Sequence, residues 1–215
     1  VRLFGRKWTS SCELTGTTYF DDVSLKKAGS DENLIFNGDF EADIKDALVD
    51  VDFSKFDIRA QYVFDVLNFD GFMFRPYHFP RGDWAGSYTD VDILGYKWGT
   101  KEYEDLFIKI TRAITQHLKD KGYLKYAYAF WYDEPDRDGY KVVRQGMDLI
   151  HRADPELKRL LTEQVEPELI GYVDIWSPIL HRYDPVLSSE RQNLGEEVWW
   201  YVCTQPRSPY PNNFI

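Results

Sequence analysis

Positive charge is in short supply in this chain: 26 Lys and Arg stand against 36 Asp and Glu, a formal net charge of −10. Nucleic-acid binding is driven largely by Lys and Arg neutralising phosphates, so a polyanionic partner is set aside. Cysteine is scarcer still. Cys12 and Cys203 are the only two, and neither has the close Cys or His neighbours of a structural zinc site, so they read as unpaired thiols. No apolar run reaches the roughly 18 to 20 residues of a spanning helix, and the first residues lack a basic stretch followed by an apolar one. No membrane partner is expected. Walker loops, dinucleotide glycine fingerprints, Gly-x-Ser-x-Gly elbows, His-x-x-x-His pairs and EF-hand loops are also missing, which removes nucleotide, dehydrogenase, esterase and zinc-hydrolase chemistry. The sequence calls for no cofactor and no metal.

Aromatic residues, by contrast, are plentiful. The chain has 7 Trp, 15 Tyr and 14 Phe among 215 residues that are 43% hydrophobic. That content fills a sizeable core and also suits a surface that stacks on the apolar faces of sugar rings.

Three stretches differ in texture. Residues 1–27 contain "GTTYFDDVSLKK", a β-rich run without helical period that reads as the last strand of a module. Residues 28–50 hold a polar linker, "AGSDEN", and then "NLIFNGDFEAD", whose Asn37-Gly38 signals a turn. "YFDDVSL" resembles the closing strand of jelly-roll carbohydrate-binding modules and "NLIFNGDFE" the opening strand of another, which implies a module tail followed by a module stub. From 51 to 215, strands alternate with helices. Ser54 reads as the cap of a helix with apolar positions Phe56, Tyr62, Val63, Val66 and Leu67, and "GFMFRP" reads as a strand. A long loop then runs to Thr100, which opens a helix that stops at Gly122. Next come a strand over 123–132, a helix over 139–152, strands over 158–164 and 172–178, a polar helix near 187–194 and a strand over 196–203. Strands separated by helices imply a parallel α/β sheet of about five or six units, short of the eight that close a barrel. A doubly wound sheet is the competing architecture. Both ends of the sequence read as cut from a longer chain.

In such arrays ligands bind at the carboxyl ends of the strands. That filter selects Arg75, Tyr77 and His78, then Asp133 and Glu134, then Glu163 and Gln164, then Trp176 and Ser177, and finally Thr204 and Gln205. His181 falls in another rim loop, whereas His117 and His151 lie on helices and read as solvated or capping. Trp199, Trp200 and Tyr201 share a strand, so Trp199 and Tyr201 face one way and Trp200 the other.

The most informative stretch is "FWYDEPDRDGY". Pro135 restricts the residue before it, so Glu134 ends the strand. In a regular strand Asp133 and Glu134 point to opposite faces; twist and the break at Pro135 would turn both toward a cleft. Trp131 and Tyr132 would then supply the partly apolar wall that raises a carboxyl pKa. Carboxylates that act from opposite sides of a glycoside stand about 5 to 9.5 Å apart. Adjacent residues share one side of the ring, so this pair suits one acid on the leaving oxygen and one orienting a nucleophile carried by the substrate. The plainer alternative makes Asp133 the cap of the next helix, with Glu134 and Asp136 at its positive end.

The run from "VDFSKFDIRAQYVFD" through "GTKEYEDLFIKI", "HLKDKGYLKYAYAFWYDEPDRDGYKVV", "ADPELKRLLTEQVEPELIGYVDIWSPIL" and "GEEVWWYVCTQPRSPYPN" resembles the catalytic domain of glycoside hydrolase family 123. The resemblance implies an incomplete (β/α)8 TIM-type barrel over 51–215. It also implies retaining, substrate-assisted cleavage of β-linked N-acetylhexosaminides, N-acetylgalactosamine favoured. Asp133 then matches the residue that orients the 2-acetamido group and Glu134 the general acid/base. Arg75, Tyr77, His78, Trp131, Tyr132, Trp176, Trp199 and Tyr201 are the expected glycan-binding residues, and export to the periplasm or cell exterior is expected. A non-catalytic, lectin-like relative is the rival, with the acids serving as helix caps.

Overall fold

The computed structural model describes residues 24–31, 49–76 and 78–203. Contacts divide the chain into two units, Val1–Ala47 and Leu48–Ile215. In the first, residues 24–31 contain a turn closed by Ser30 N–H donating to Lys27 O at 3.0 Å, with Gly29 in the left-handed region. The rest of the expected module strands, Asn37-Gly38 and Cys12 lie outside the described residues.

The second unit begins with α1 (Ser54–Gln61), which runs into one π-helical turn over Tyr62–Val66. Ser54 is not the cap. Its backbone N–H is itself taken by the carboxylate of Asp52 at 2.9 Å, which satisfies one of the orphan donors at the start of the helix. Nor is the expected apolar stripe buried as a whole: Ala60 and Phe64 enter the core while Tyr62, Val66 and Leu67 stay exposed. Strand β1 (Phe72–Phe74) follows. The expected loop before Thr100 carries two short antiparallel hairpins, β2 (Arg81–Asp83) with β3 (Gly86–Tyr88) and β4 (Asp92–Ile93) with β5 (Tyr96–Lys97).

Helix α2 (Lys101–Asp120) has both expected ends. The Thr100 hydroxyl accepts Tyr103 N–H, and Gly122, in the left-handed region, lets Tyr123 N–H reach back to Leu118 O at 2.7 Å. Buried Tyr103, Leu106, Phe107, Thr111, Thr115 and Leu118 recur at helical spacing along one face. His117 is neither solvated nor a cap: it stacks on Phe53 at 3.8 Å, and its Nε2 meets Asp57 at 2.6 Å, tying α2 to α1.

The remaining elements alternate: β6 (Ala127–Asp133), α3 (Tyr140–Ala153), β7 (Lys158–Thr162), β8 (Ile175–Trp176), α4 (Pro185–Asn193) and β9 (Glu197–Val198). β8 and β9 are shorter than expected. Asp184 caps α4, accepting Val186 N–H at 2.8 Å and Leu187 N–H at 3.1 Å, with Pro185 at the first helical position. β1, β6, β7, β8 and β9 form one five-stranded parallel sheet in chain order. Among the described strands the order never reverses, which is not what a doubly wound sheet does.

Two features of this sheet position the site. Between β6 and β7 the register runs from Phe130 opposite Leu160 to Asp133 opposite Thr162, three residues against two. This β-bulge inserts one residue and switches side-chain parity. Tyr128, Phe130 and Asp133 therefore share a face with Lys158, Leu160 and Thr162, while Tyr132 turns to the other face. The second feature is curl. Tyr128 on β6 and Trp199 just beyond β9 meet edge to face at 5.2 Å, although three strand spacings would separate them by about 14 Å in a flat sheet. Lys158 and Glu197, two strands apart, form an ion pair on the same concave side.

The convex side holds the packed core. Tyr132 is fully buried against α3, its hydroxyl donating to Val142 O at 3.3 Å. Gly146 makes room for it: a Cβ there would sit 2.7 Å from Phe79 and 2.8 Å from the Tyr132 ring, and nearer still to the Tyr132 hydroxyl. On the same side of β7, buried Arg159 grips Asp174 with two parallel hydrogen bonds of 2.7 and 2.9 Å.

Candidate active site

At the carboxyl end of this sheet lies a cavity of about 310 Å³. β6 supplies Glu134, Pro135 and Asp136; β7 supplies Thr162, Glu163 and Gln164. The turn after β8 gives Ile179, His181 and Arg182, and Tyr201 closes the far side. Tyr201 is held there by a parallel bridge to Ile179 and by backbone hydrogen bonds from Leu180 N–H at 2.8 Å and to Pro178 O at 3.1 Å. Trp84, at the tip of the β2–β3 hairpin, stands at the mouth.

The bulge and one unusual backbone angle bring the adjacent acids together, where twist and Pro135 were expected to do so. Glu134 has φ 47°, in the left-handed region that a non-glycine residue seldom adopts. Thr162 then connects the pair. Its hydroxyl donates to Asp133 Oδ1 at 2.7 Å and accepts Glu134 N–H at 2.9 Å. Glu134 Oε1 receives the Tyr201 hydroxyl in a hydrogen bond. Both acids were expected to face the cleft, but only Glu134 lines the cavity; Asp133 is hydrogen-bonded to Thr162 of the wall and does not line it.

The helix-cap alternative has no support in these contacts. α3 begins at Tyr140 with Gly139 before it, and neither it nor the short turn at Arg137–Gly139 has a side-chain cap. Asp133 instead accepts from Thr162, and its carbonyl accepts Trp84 N–H at 3.0 Å.

Of the other expected glycan-binding residues that are described, only Tyr201 lines the cavity. Tyr132 and Trp176 are core residues at 0% exposure. Tyr132 was expected beside Asp133, but the bulge turns it to the convex side. Trp176 shares its face with Leu161, opposite the concave side, and its Nε1 donates to Glu196 at 2.6 Å. Trp131 donates to Pro80 O at 2.6 Å and carries the Arg75 guanidinium 5.2 Å from its ring centre, so these two satisfy each other outside the cavity. His78 has φ 53°, and its carbonyl accepts the Tyr103 hydroxyl at 2.7 Å. Trp199 packs on Tyr128 and donates to Glu197 at 3.0 Å. Tyr77, Thr204 and Gln205 lie outside the described residues. Ser177 is buried, its N–H bonded to Leu161 O.

Two residues matter more than the sequence indicated. Trp84 is 67% exposed at the cavity mouth, bolted in place by its own N–H to Asp133 O. No local pattern marks it. Glu163 is only 6% exposed, and burial pushes its carboxyl up to about 7, with Glu166 and Glu134 adding to the shift while Gln164 N–H and Arg182 oppose it. The environment expected to raise a carboxyl pKa beside Trp131 and Tyr132 is thus found at Glu163. Among the described residues no cluster of three or more His, Cys, Asp or Glu side chains has the geometry to hold a metal ion, and no helix is long and apolar enough to cross a membrane.

Comparison with known proteins now bears on these acids. The sequence profile of the glycoside hydrolase 123 catalytic domain matches residues 76–215, nearly two thirds of the chain. The chain belongs to glycoside hydrolase family 123. The match begins at Pro76, so α1 and β1 lie ahead of it, while the acids and every lining residue of the cavity fall inside. Among solved structures, a family 123 glycoside hydrolase from Clostridium perfringens, described for glycolipid glycan hydrolysis, is similar at 20% identity and a TM-score of 0.40. The similarity covers 54% of this chain and 21% of that one. Comparison with curated proteins finds no match.

Proposed function

We propose that this family 123 chain is a glycoside hydrolase that cleaves β-linked N-acetylhexosaminides, N-acetylgalactosaminides foremost, with retention and help from the substrate's own acetamido group. The observation that carries this reading is the single threonine of the cavity wall that joins two neighbouring acids, accepting the Glu134 N–H and donating to the Asp133 carboxylate. Carboxylates on the same side of a sugar do not divide the work as nucleophile and acid across the ring. Glu134, in the cavity, protonates the leaving oxygen and later takes a proton from the incoming water. Asp133, with Oδ1 held by Thr162, turns Oδ2 to the acetamido N–H and balances the positive charge that develops as the acetamido carbonyl oxygen attacks the anomeric carbon. The C–O bond to the leaving group breaks as the ring-closing C–O bond forms, giving an oxazolinium ion, its N–H kept, that water then opens at the anomeric carbon.

The fold fits an incomplete (β/α)8 barrel: five parallel strands in chain order, curled so that the first and last of four neighbours touch, with the acids at the carboxyl end. A glycan outside the cytoplasm is the substrate proposed, in keeping with the carbohydrate-binding resemblance of residues 1–50.

The test is hydrolysis of an aryl 2-acetamido-2-deoxy-β-D-galactoside beside the matching 2-hydroxy galactoside. Turnover confined to the acetamido substrate, and lost in Glu134→Gln, is expected. Equal turnover of both overturns acetamido participation, and sugar binding without turnover of either places the chain with lectin-like relatives.

A further inference from the structure

Glu163 is the buried titratable group that the mechanism above leaves idle. It follows β7 directly, one residue past Thr162, and lies in the wall between Thr162 and Gln164. Its carboxyl accepts one hydrogen bond, from Gln164 N–H at 3.2 Å, and forms no ion pair among the described residues. Arg182, the cation nearest in influence, directs its guanidinium to Gln164 Oε1 at 3.5 Å, and Arg137 is engaged by Glu166 at 3.4 Å. A carboxyl this deep with one donor retains unused hydrogen-bonding capacity, and burying it is costly unless something supplies the rest. The cavity is the open side. A ring hydroxyl offers its oxygen to the O–H of the neutral carboxyl.

We propose that Glu163 is a sugar-binding residue of this cavity, its carboxyl reading one ring hydroxyl of the bound glycoside. The proposal rests on the glycoside reading of the site but not on acetamido participation. Groups that act on Glu163 come from several elements: Glu134 at the end of β6, Glu166 on its own segment and Arg182 from the turn after β8, while Tyr140 on α3 is coupled to it in turn. Burial first, with Glu166 and Glu134 adding to it, keeps the acid neutral to about pH 7, and the carboxyl acts there as a donor to the hydroxyl oxygen. Above that pH it becomes an acceptor facing Glu134, and sugar affinity falls.

The experiment is equilibrium binding by calorimetry to methyl β-glycosides, in a 2-acetamido and a 2-hydroxy series, each with single deoxy replacements at positions 3, 4 and 6. Parent, Glu163→Ala and Glu163→Gln chains are compared, with circular dichroism to confirm folding. For one ring position, Glu163→Ala and removal of the hydroxyl should each weaken binding about tenfold or more, and together should cost no more than either alone. Glu163→Gln, which keeps a donor, should retain most affinity and lose the decline above about pH 7. Additive losses at every ring position, unchanged affinity in Glu163→Ala, or a pH dependence that survives in Glu163→Gln overturns the assignment. Coupling seen in both sugar series with equal hydrolysis of both sustains Glu163 while removing acetamido participation. Absence of sugar binding by the parent overturns both.

Discussion

Thr162 donates to the carboxylate of Asp133 at 2.7 Å through the oxygen that also receives the backbone N–H of Glu134. One hydroxyl therefore sets the aim of one acid and the main chain of the other. Thr162→Val keeps the shape and deletes both bonds. The expected result is a drop in kcat of roughly 10- to 100-fold with a smaller change in KM, because the loss is orientation and not sugar contact. Thr162→Ser should restore most of it. Steady-state kinetics on the acetamido aryl glycoside decide the matter, and equal defects in Val and Ser variants would contradict the role given to the hydroxyl.

Glu163 also makes stability depend on pH. Its folded pKa of about 7 lies above the ordinary value of 4.5, so between these the folded chain holds more proton than the unfolded one. Stability is consequently intact below about pH 4.5 and declines as pH rises through about 7. Glu163→Gln removes the decline. Thermal unfolding should find the variant more stable than the parent at pH 8, by at most about 3 kcal/mol, and the two alike at pH 4.5. Parallel curves at both pH values would refute this.

Trp84 is exposed yet fixed, which suits a stacking platform for the part of the glycan beyond the cleaved bond. Replacing it by Ala should leave stability within about 0.5 kcal/mol, since little surface is uncovered. Hydrolysis of a disaccharide glycoside should fall about tenfold in kcat/KM while a simple methyl glycoside is affected less. Kinetics on the two substrates measure the difference, and equal losses would assign Trp84 to the cleaved sugar instead.

Gly146 reverses the usual helix preference. Alanine there gains roughly 0.5 to 1 kcal/mol of propensity but drives a methyl into Tyr132 and Phe79. Gly146→Ala should lose about 2 to 4 kcal/mol overall in denaturant unfolding. Adding Tyr132→Phe, which takes away the atom nearest the new methyl, should recover part of it. No recovery would move the clash to Phe79.

The sequence revealed the order of strands and helices because caps, glycine stops and periodicity are local. Thr100, Gly122 and the acid pair before Pro135 were legible for that reason. Tyr132 and Trp176 were misplaced because an aromatic residue at a strand end carries no mark of the face it takes, which here is set by the bulge and by strand pairing. The parity switch at Asp133 depends on pairing with β7, some 29 residues away by the Thr162 contact. Glu163 was legible as a strand-end residue, but its burial, which sets its chemistry, comes from packing between distant segments. Trp84 sits in a hairpin fastened to β6 by its long-range backbone bond to Asp133 O, something no neighbouring residue announces.

The left-handed backbone at Glu134 filters substitutions before chemistry does. Asparagine, aspartate or glycine fits that conformation with little strain, whereas valine or isoleucine resists it and would drag the chain away from Tyr201 and Thr162. A knockout made with a β-branched residue would thus dismantle the neighbourhood along with the acid, while a glycine or carboxamide exchange would empty one position and leave its surroundings standing.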